Sequence, residues 1–200
     1  MMVLLALAAL VLGVLAGLYL PDIGILDYLQ THSELVLYLL MFSVGISVGQ
    51  NKAVFRHIRT YHVKIFIIPL GIVLGTLAGG AAYALLFQAD LGESLAVVSG
   101  LGWYSLSGVL IAQLYTAELG SIAFLSNLMR EMLSFCLIPL LARRLNYYTA
   151  IAPAAATSED TTLPMLVRYT SEEVVVMAVF NGVICSALAP VLIRFFSDLL

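Results

Sequence analysis

Charged side chains are scarce in this sequence of 200 residues: they make up 10%, whereas hydrophobic residues make up 62%. A soluble domain typically has about a quarter charged and about half apolar residues. No folded core of this size hides so much apolar surface from water. The composition therefore excludes a water-soluble globular domain and predicts an all-α integral membrane protein within a lipid bilayer.

Residues that build other kinds of site are also few. The net charge of −3 provides no basic face for nucleic acid. Cys136 and Cys185 both lie in apolar runs at a spacing unsuited to zinc, so we expect buried hydrophobic side chains. The metalloprotease motif H-E-x-x-H is absent and no histidine lies in an apolar span, which argues against an intramembrane enzyme. We expect no metal and no cofactor.

Long apolar runs are what the sequence has in abundance. A spanning helix needs about 20 mostly apolar residues. Five segments meet or approach that length: Val3–Leu20, Glu34–Gln50, Ile65–Phe87, Leu119–Leu141 and Val174–Phe196. We therefore predict about five spanning helices.

Two further apolar stretches, Ser94–Thr116 and Ala150–Leu166, are interrupted by glycine, serine or proline. We expect re-entrant or broken-helix segments, because irregular backbone at membrane depth persists only inside protein or beside a cavity. Secondary transporters bind substrates where broken helices meet. A pair of kinked ordinary helices is the alternative that the sequence leaves open.

Basic residues give the expected orientation. The linker Asn51–Lys64 carries four bases and no acid, so it is predicted to be cytoplasmic, as are Arg143 and Arg144 after the fourth span. Both assignments hold only if Ser94–Thr116 enters and leaves on the external side. The N-terminus is then cytoplasmic and the C-terminus external. We expect a single transport domain, with a three-helix scaffold in residues 1–90 and the site in residues 91–200.

Ionisable side chains inside the fourth span are the first candidates for chemistry. Arg130 and Glu131 lie near its middle, and Asn127 shares a helix face with Glu131. A lone ionised residue there costs about 2.5–3.5 kcal/mol on insertion scales, and such residues are functional by default. A satisfied structural network is the alternative.

The second interrupted segment supplies partners for these two residues. Glu159 and Asp160 lie among four hydroxyl side chains, namely Thr157, Ser158, Thr161 and Thr162. Three acids against one arginine leave an excess of two negative charges, which a low-dielectric interior does not tolerate without cations or protons. We therefore expect a cationic ligand that competes with a proton for Glu131, which is the logic of antiport.

The glycine-rich segment is expected to complete the site. Gly102 allows close backbone approach, and N–H groups freed at a half-helix start bind carboxylates. The neighbouring side chains are expected to wall the site or donate hydrogen bonds; they are Trp103, Tyr104, Ser105 and Ser107. An interfacial aromatic pair is the alternative for Trp103 and Tyr104.

Four motifs in order resemble the lysine exporter (LysO) family: SGLGWYSLSG at 99–108, NLMRE at 127–131, Ile138-Pro139 followed by Arg143-Arg144, and AATSEDTTLP at 155–164. The likeness continues to Pro190. The resemblance implies export of lysine or a similar cationic amino acid across a bacterial inner membrane. It also implies that Glu131 is the family's membrane-embedded glutamate.

The sequence departs from that family in one respect. Family members usually carry an additional N-terminal membrane block similar to residues 1–60. We expect a short, separately encoded membrane subunit or a second copy of this chain to supply it. A non-transporting membrane subunit and a passive cation channel remain the alternatives in function.

Overall fold

A computed structural model describes residues 64–199 continuously, together with scattered positions between residues 8 and 46. The chain divides into two compact units, Met1–Ser47 and Val48–Leu200. Most of the predicted spans Val3–Leu20 and Glu34–Gln50, and the basic linker after them, lie outside the described residues. The continuously described residues all belong to the second unit.

Helices make up the described part of this unit, and no strand occurs among those residues. The helices, labelled in chain order, are α1 (Lys64–Phe87), α2 (Leu91–Val98), α3 (Tyr104–Leu114), α4 (Ala117–Arg144), α5 (Leu163–Tyr169) and α6 (Glu172–Leu199). Two short 3₁₀ turns, Thr149–Ile151 and Ala155–Glu159, lie between α4 and α5. The expected all-α architecture is confirmed.

Among the described residues, three helices are long and apolar enough to cross a membrane, and each coincides with a predicted span: Phe66–Phe87, Ala117–Arg144 and Glu172–Leu199. Each contains one internal proline, at positions 69, 139 and 190. Membrane helices tolerate proline because neighbouring helices and side chains satisfy the backbone groups it frees.

Local sequence signals set the starts of two of the helices after α1. The Asp90 side chain accepts a hydrogen bond from the Glu93 N–H at 2.9 Å and caps α2. The Thr116 hydroxyl accepts one from the Leu119 N–H at 3.1 Å and caps α4. Both are the side-chain types that favour N-cap positions, because their oxygens satisfy N–H groups of the first turn.

The first interrupted segment is a broken hairpin whose two ends lie at the same end of the bundle. Helix α2 enters, the chain breaks at residues 99–103, and α3 returns to Tyr115. Burial raises the pKa of the Tyr115 phenol, and three carboxylates near it raise that pKa further: those of Asp90, Glu93 and Asp198. The start of α2, the end of α3 and the end of α6 are therefore close together.

The second interrupted segment begins and ends at the opposite end of the bundle. The Arg143 guanidinium, at the end of α4, lies 5.6 Å from the ring centroid of Tyr169, at the end of α5. The Tyr148 hydroxyl donates to a carboxylate oxygen of Glu173, at the start of α6, at 3.3 Å. The sequence-based prediction of two interrupted segments entering from opposite faces therefore agrees with the described structure.

Close approach of α3 and α4 depends on glycine. A Cβ added at Gly120 would lie 2.5 Å from the Ala112 Cβ and 2.6 Å from the Gly108 carbonyl oxygen. A Cβ added at Gly79 on α1 would meet no described atom within 4 Å. The same glycine-to-alanine exchange thus probes a packed and an open helix position.

We predict that Gly120→Ala lowers the apparent unfolding temperature in detergent by roughly 5 °C, because overpacking a close contact costs about 1–3 kcal/mol. Gly79→Ala should leave that temperature unchanged or raise it, because alanine favours helix over glycine. Thermal unfolding of the purified variants measures both. Equal shifts in the two variants would contradict the packing described for α3 and α4.

Candidate functional site

The tips of the two interrupted segments meet inside the bundle; the first tip is residues 99–103 and the second tip is the 3₁₀ turn Ala155–Glu159. The Ala156 N–H donates to the Leu101 carbonyl oxygen at 3.0 Å, which joins the two tips directly. Both tips contain left-handed backbone, with φ of 51° at Leu101, 94° at Gly102 and 48° at Ala155. Leu101 and Ala155 are completely buried. A φ in this region is rare in residues with a Cβ, so the surrounding contacts must hold both tips in place.

Asn127 on α4 holds the first tip. Its amide oxygen accepts from the Gly102 N–H at 2.8 Å. Its amide nitrogen lies within hydrogen-bonding distance of three acceptors: the Val97 and Ala123 carbonyls at 3.1 and 2.9 Å, and the Ser107 hydroxyl at 3.2 Å. Only 3% of Asn127 is exposed. This side chain therefore satisfies the backbone where α2 ends and the chain turns.

Asn181 on α6 holds the second tip in a similar way. It is not among the site residues predicted from the sequence. Its amide nitrogen donates to the Ala155 carbonyl at 2.9 Å and to the Ser158 hydroxyl at 3.0 Å. Asn181 is fully buried. A polar amide within the apolar run Val174–Phe196 was the available signal, because such residues in membrane helices usually bond across helices.

Glu131 lies near the middle of α4 with 1% of its surface exposed, and neither carboxylate oxygen has a hydrogen-bond partner among the described residues. The Thr161 hydroxyl, after the second tip, faces this carboxylate, yet neither group reaches hydrogen-bonding geometry. The Asp160 carboxylate is near enough to interact electrostatically with Glu131, and Tyr104 interacts with both acids. The structure thus brings Glu131 of α4 together with residues from both tips.

Glu159 occupies a separate position behind Asp160. Its carboxylate accepts a hydrogen bond from the Ser186 hydroxyl at 2.8 Å. Its backbone and Cβ pack so closely on Gly182 that a Cβ added there would lie 2.6 Å away. Asp160 interacts electrostatically with Glu159 as well as with Glu131. Asp160 is exposed, whereas Glu131 is buried, so acidic groups extend from an accessible position to a buried one.

Arg130 bonds to backbone rather than to the acids. Its guanidinium donates to the Pro153 and Ala152 carbonyls at 3.2 and 3.3 Å and to the Thr76 hydroxyl at 3.1 Å. Among the described residues it forms no ion pair with Glu131, Glu159 or Asp160, which differs from the pairing that the sequence suggested. The reason is that residues 130 and 131 point to different faces of α4, and the carbonyls before the second tip reach the guanidinium first.

The backbone N–H groups of the first tip donate within the protein, so they are not offered to a substrate carboxylate. Those from Gly100 to Tyr104 donate to Val97, Val98, the Asn127 side chain, Gly100 and Gly102. The tight turn at Gly102 therefore satisfies these N–H groups internally. Binding of a carboxylate by N–H groups in the first turn of α3 stays a prediction.

The other predicted site residues fall into two groups. Three hydroxyls serve the tips: Ser107 accepts from Asn127, Thr157 donates to the Ala154 carbonyl at 2.9 Å, and Ser158 contacts the Ala155 and Ala178 carbonyls at 2.7 Å. Trp103 packs against the hydrophobic core, and Ser105 is exposed. Their part in substrate binding stays a prediction.

No group of acidic, cysteine or histidine side chains in the described part of the chain is arranged to hold a metal ion. The site is therefore a set of carboxylates beside hydroxyl groups and one aromatic ring. Such a set binds cations or protons, because an ionised carboxylate removed from water needs a compensating positive charge.

Comparison with known proteins identifies the family. The family model described as lysine exporter LysO matches residues 7–197. The chain belongs to this family. Membership confirms the resemblance that the four sequence motifs indicated.

Two relatives show the extent of the similarity within the LysO family. The chain is 37% identical over 187 residues to the lysine exporter LysO of Escherichia coli, which covers 94% of this chain and 61% of that protein. It is 33% identical over 192 residues to a Haemophilus influenzae protein named as a candidate lysine exporter, which covers 96% of each. The chain thus spans about three fifths of the E. coli relative. No solved structure matches it.

We predict that Glu131→Gln leaves the unfolding temperature unchanged or raises it, because the wild-type carboxylate makes no hydrogen bond that the change would remove. If Glu131 instead belonged to a satisfied network, the change would lower the free energy of unfolding by about 3–5 kcal/mol, because the partner charge would be left unpaired. Thermal unfolding in detergent at neutral pH distinguishes the two. A drop of several degrees would show that Glu131 is structural.

Proposed function

We propose that this chain is the core of a secondary transporter that exports lysine or a related cationic amino acid in exchange for protons. The observation that carries the proposal is the Glu131 carboxylate, which is buried near the middle of a membrane helix and has no hydrogen-bond partner in the part of the chain that the structure describes. An isolated charge there is costly, so the group needs a proton or a cation. The names of the two relatives support lysine as that cation.

The charges around the tips favour a positively charged substrate. Among the described residues, three acids from the exposed Asp160 to the buried Glu131 lie around the tips, with Glu159 as the third, and Arg130 is the cation close to them. Free lysine carries two ammonium groups and one carboxylate, for a net charge of +1. One substrate and protons together offset the excess of negative charge, whereas an anionic substrate would increase it.

Competition for one carboxylate supplies the coupling. With no substrate present, a desolvated carboxylate prefers its protonated form. An ammonium group arriving past Asp160 favours the ionised form of Glu131 and releases the proton. When the site opens to the external side, a proton from the medium displaces the ammonium group. Each cycle therefore exchanges a substrate for a proton, and neither crosses alone.

The orientation follows from the ends of the helices. Arg143 and Arg144 lie in the last turn of α4, and Arg168 lies in the last turn of α5. Clustered arginines favour the cytoplasmic side. The acids Asp90 and Glu93 lie at the other end, which we assign to the outside of a bacterial inner membrane. The C-terminus is then external and the N-terminus cytoplasmic.

We also propose that a further membrane block completes the transporter, supplied by a short, separately encoded subunit or by a second copy of this chain. The length of the E. coli relative beyond the matched region supports this proposal.

Proteoliposomes containing the purified protein should exchange labelled lysine and respond to an imposed pH gradient. Glu131→Gln should reduce exchange to background, because a neutral amide holds neither an ammonium group by charge nor a transferable proton. Glu118→Gln, in the exposed first turn of the same helix, is the matched control and should retain exchange. Full exchange by Glu131→Gln, or lysine flux that ignores the pH gradient, would contradict antiport; the second result would indicate a channel.

Competition should follow the charge of the competitor. Unlabelled ornithine or arginine should inhibit lysine counterflow, whereas alanine and glutamate at the same concentration should not, because only a net cation compensates the acids at the tips. Inhibition by glutamate equal to that by ornithine would show that charge does not set the specificity.

A further inference from the structure

Residues 91–199 contain the same order of elements twice. Helix α2, the first tip and α3 lead through two residues, 115 and 116, into the 28 residues of α4. In the second half, the 3₁₀ turn Thr149–Ile151 is followed by the second tip and then by α5. Residues 170 and 171 lead from there into the 28 residues of α6. The two interrupted segments begin at opposite ends of the bundle, so the second repeat, residues 145–199, is inverted relative to the first repeat, residues 91–144.

The two anchoring asparagines occupy corresponding places in these two repeats. Asn127 is the eleventh residue of α4, counted from Ala117, and Asn181 is the tenth of α6, counted from Glu172. Asn127 bonds to Gly102, 25 residues before it, and Asn181 bonds to Ala155, 26 residues before it. Both target residues have positive φ. The hydrogen bond between Ala156 and Leu101 joins the tips where the two repeats meet.

We propose that residues 91–144 and 145–199 form an inverted repeat in which Asn181 is a positioning residue, the counterpart of Asn127, that sets where the second tip presents Asp160 to Glu131. Inverted repeats of this kind are a recurring design of transporters that open alternately to the two sides. This inference rests on the proposed function only for its consequence in transport. The positioning itself is a property of the fold.

The path from Asn181 to the acids is short. Its amide fixes Ala155 and Ser158, and Glu159 follows directly with its backbone against Gly182, one residue after Asn181. Asp160 and Thr161 come next and face Glu131. Without the amide, the completely buried Ala155 loses a donor to its carbonyl, and the strained tip relaxes. Asp160 and Thr161 then leave the position facing Glu131.

A disulfide between the tips tests positioning without any substrate. Leu101→Cys and Ala156→Cys are combined with Cys136→Ser, which removes a native thiol; Cys136 is exposed, whereas the sequence led us to expect it buried like Cys185. The two new cysteines replace residues joined by a main-chain hydrogen bond, so they should oxidise readily, and mass spectrometry of the linked peptides quantifies the product. Adding Asn181→Leu, which keeps the branched shape of the side chain but removes the donor, should lower the cross-linked yield about tenfold. Asn181→Ser is a second variant with the same expectation.

Two further variants make this test specific. Asn127→Leu should lower the yield similarly, because the repeat gives it the same task at the first tip. Ser134→Ala removes a buried hydroxyl that bonds only within α4, to the Glu131 carbonyl at 2.6 Å, and should leave the yield unchanged. An equal loss in Ser134→Ala, or an undiminished yield in both Asn181 variants, would overturn the inference.

The transport readout is the split between KM and kcat for lysine in proteoliposomes. Asn181→Leu should raise KM about tenfold with a much smaller change in kcat, because the bound state loses the aligned acids. Merely reduced folding would lower the amount of active protein and leave KM unchanged, which would count against positioning. If the cross-link depends on Asn181 while the wild-type protein moves no lysine, the repeat stands and the proposed function fails.

Discussion

The fold depends on one constraint, which is that backbone polar groups at membrane depth must find partners inside the protein. Spanning helices meet it by themselves, whereas the two tips do not. Asn127 and Asn181 meet it by bonding to Gly102 and Ala155, and the bond from Ala156 to Leu101 closes the junction. Two irregular turns can therefore persist in the interior of the bundle.

The acidic site is a consequence of these anchored tips. The second tip carries Asp160 and Thr161 to Glu131 on α4, while Tyr104 follows from the first tip. None of these groups gives the Glu131 carboxylate a hydrogen bond. The protein therefore maintains a costly group at its centre, and the cost is met when a proton or a cation arrives. Structural order around the tips and electrostatic need at Glu131 together support the exchange site that we propose.

Much of this arrangement was predictable because the bilayer imposes simple rules. The long apolar runs predicted α1, α4 and α6, and the glycine, serine and proline interruptions predicted the two broken segments. The excess of arginine after α4 required the first segment to return to its own side, and the proximity of Tyr115 to Asp90 and Asp198 agrees. Glu131 stood out because a carboxylate within an apolar run is expensive.

What the sequence did not predict depends on three-dimensional contacts. The bonding of Arg130 to the Ala152 and Pro153 carbonyls follows from how the chain turns after α4, which no local pattern encodes. The use of the first tip's N–H groups inside its own turn likewise emerges only with the left-handed residues in place. Asn181 was overlooked because a single neutral amide in an apolar run is a weak signal until the strained carbonyl it serves is known.

The central claim is that substrate and proton compete for Glu131, and its most direct test is the proton balance of binding. Lysine added to the purified protein in weakly buffered detergent solution should release protons, detected by a pH indicator in step with binding measured by calorimetry. Because binding that ionises a carboxyl must release its proton, the release should vanish in Glu131→Gln. Lysine binding without proton release, or the same release from Glu131→Gln, would contradict the account.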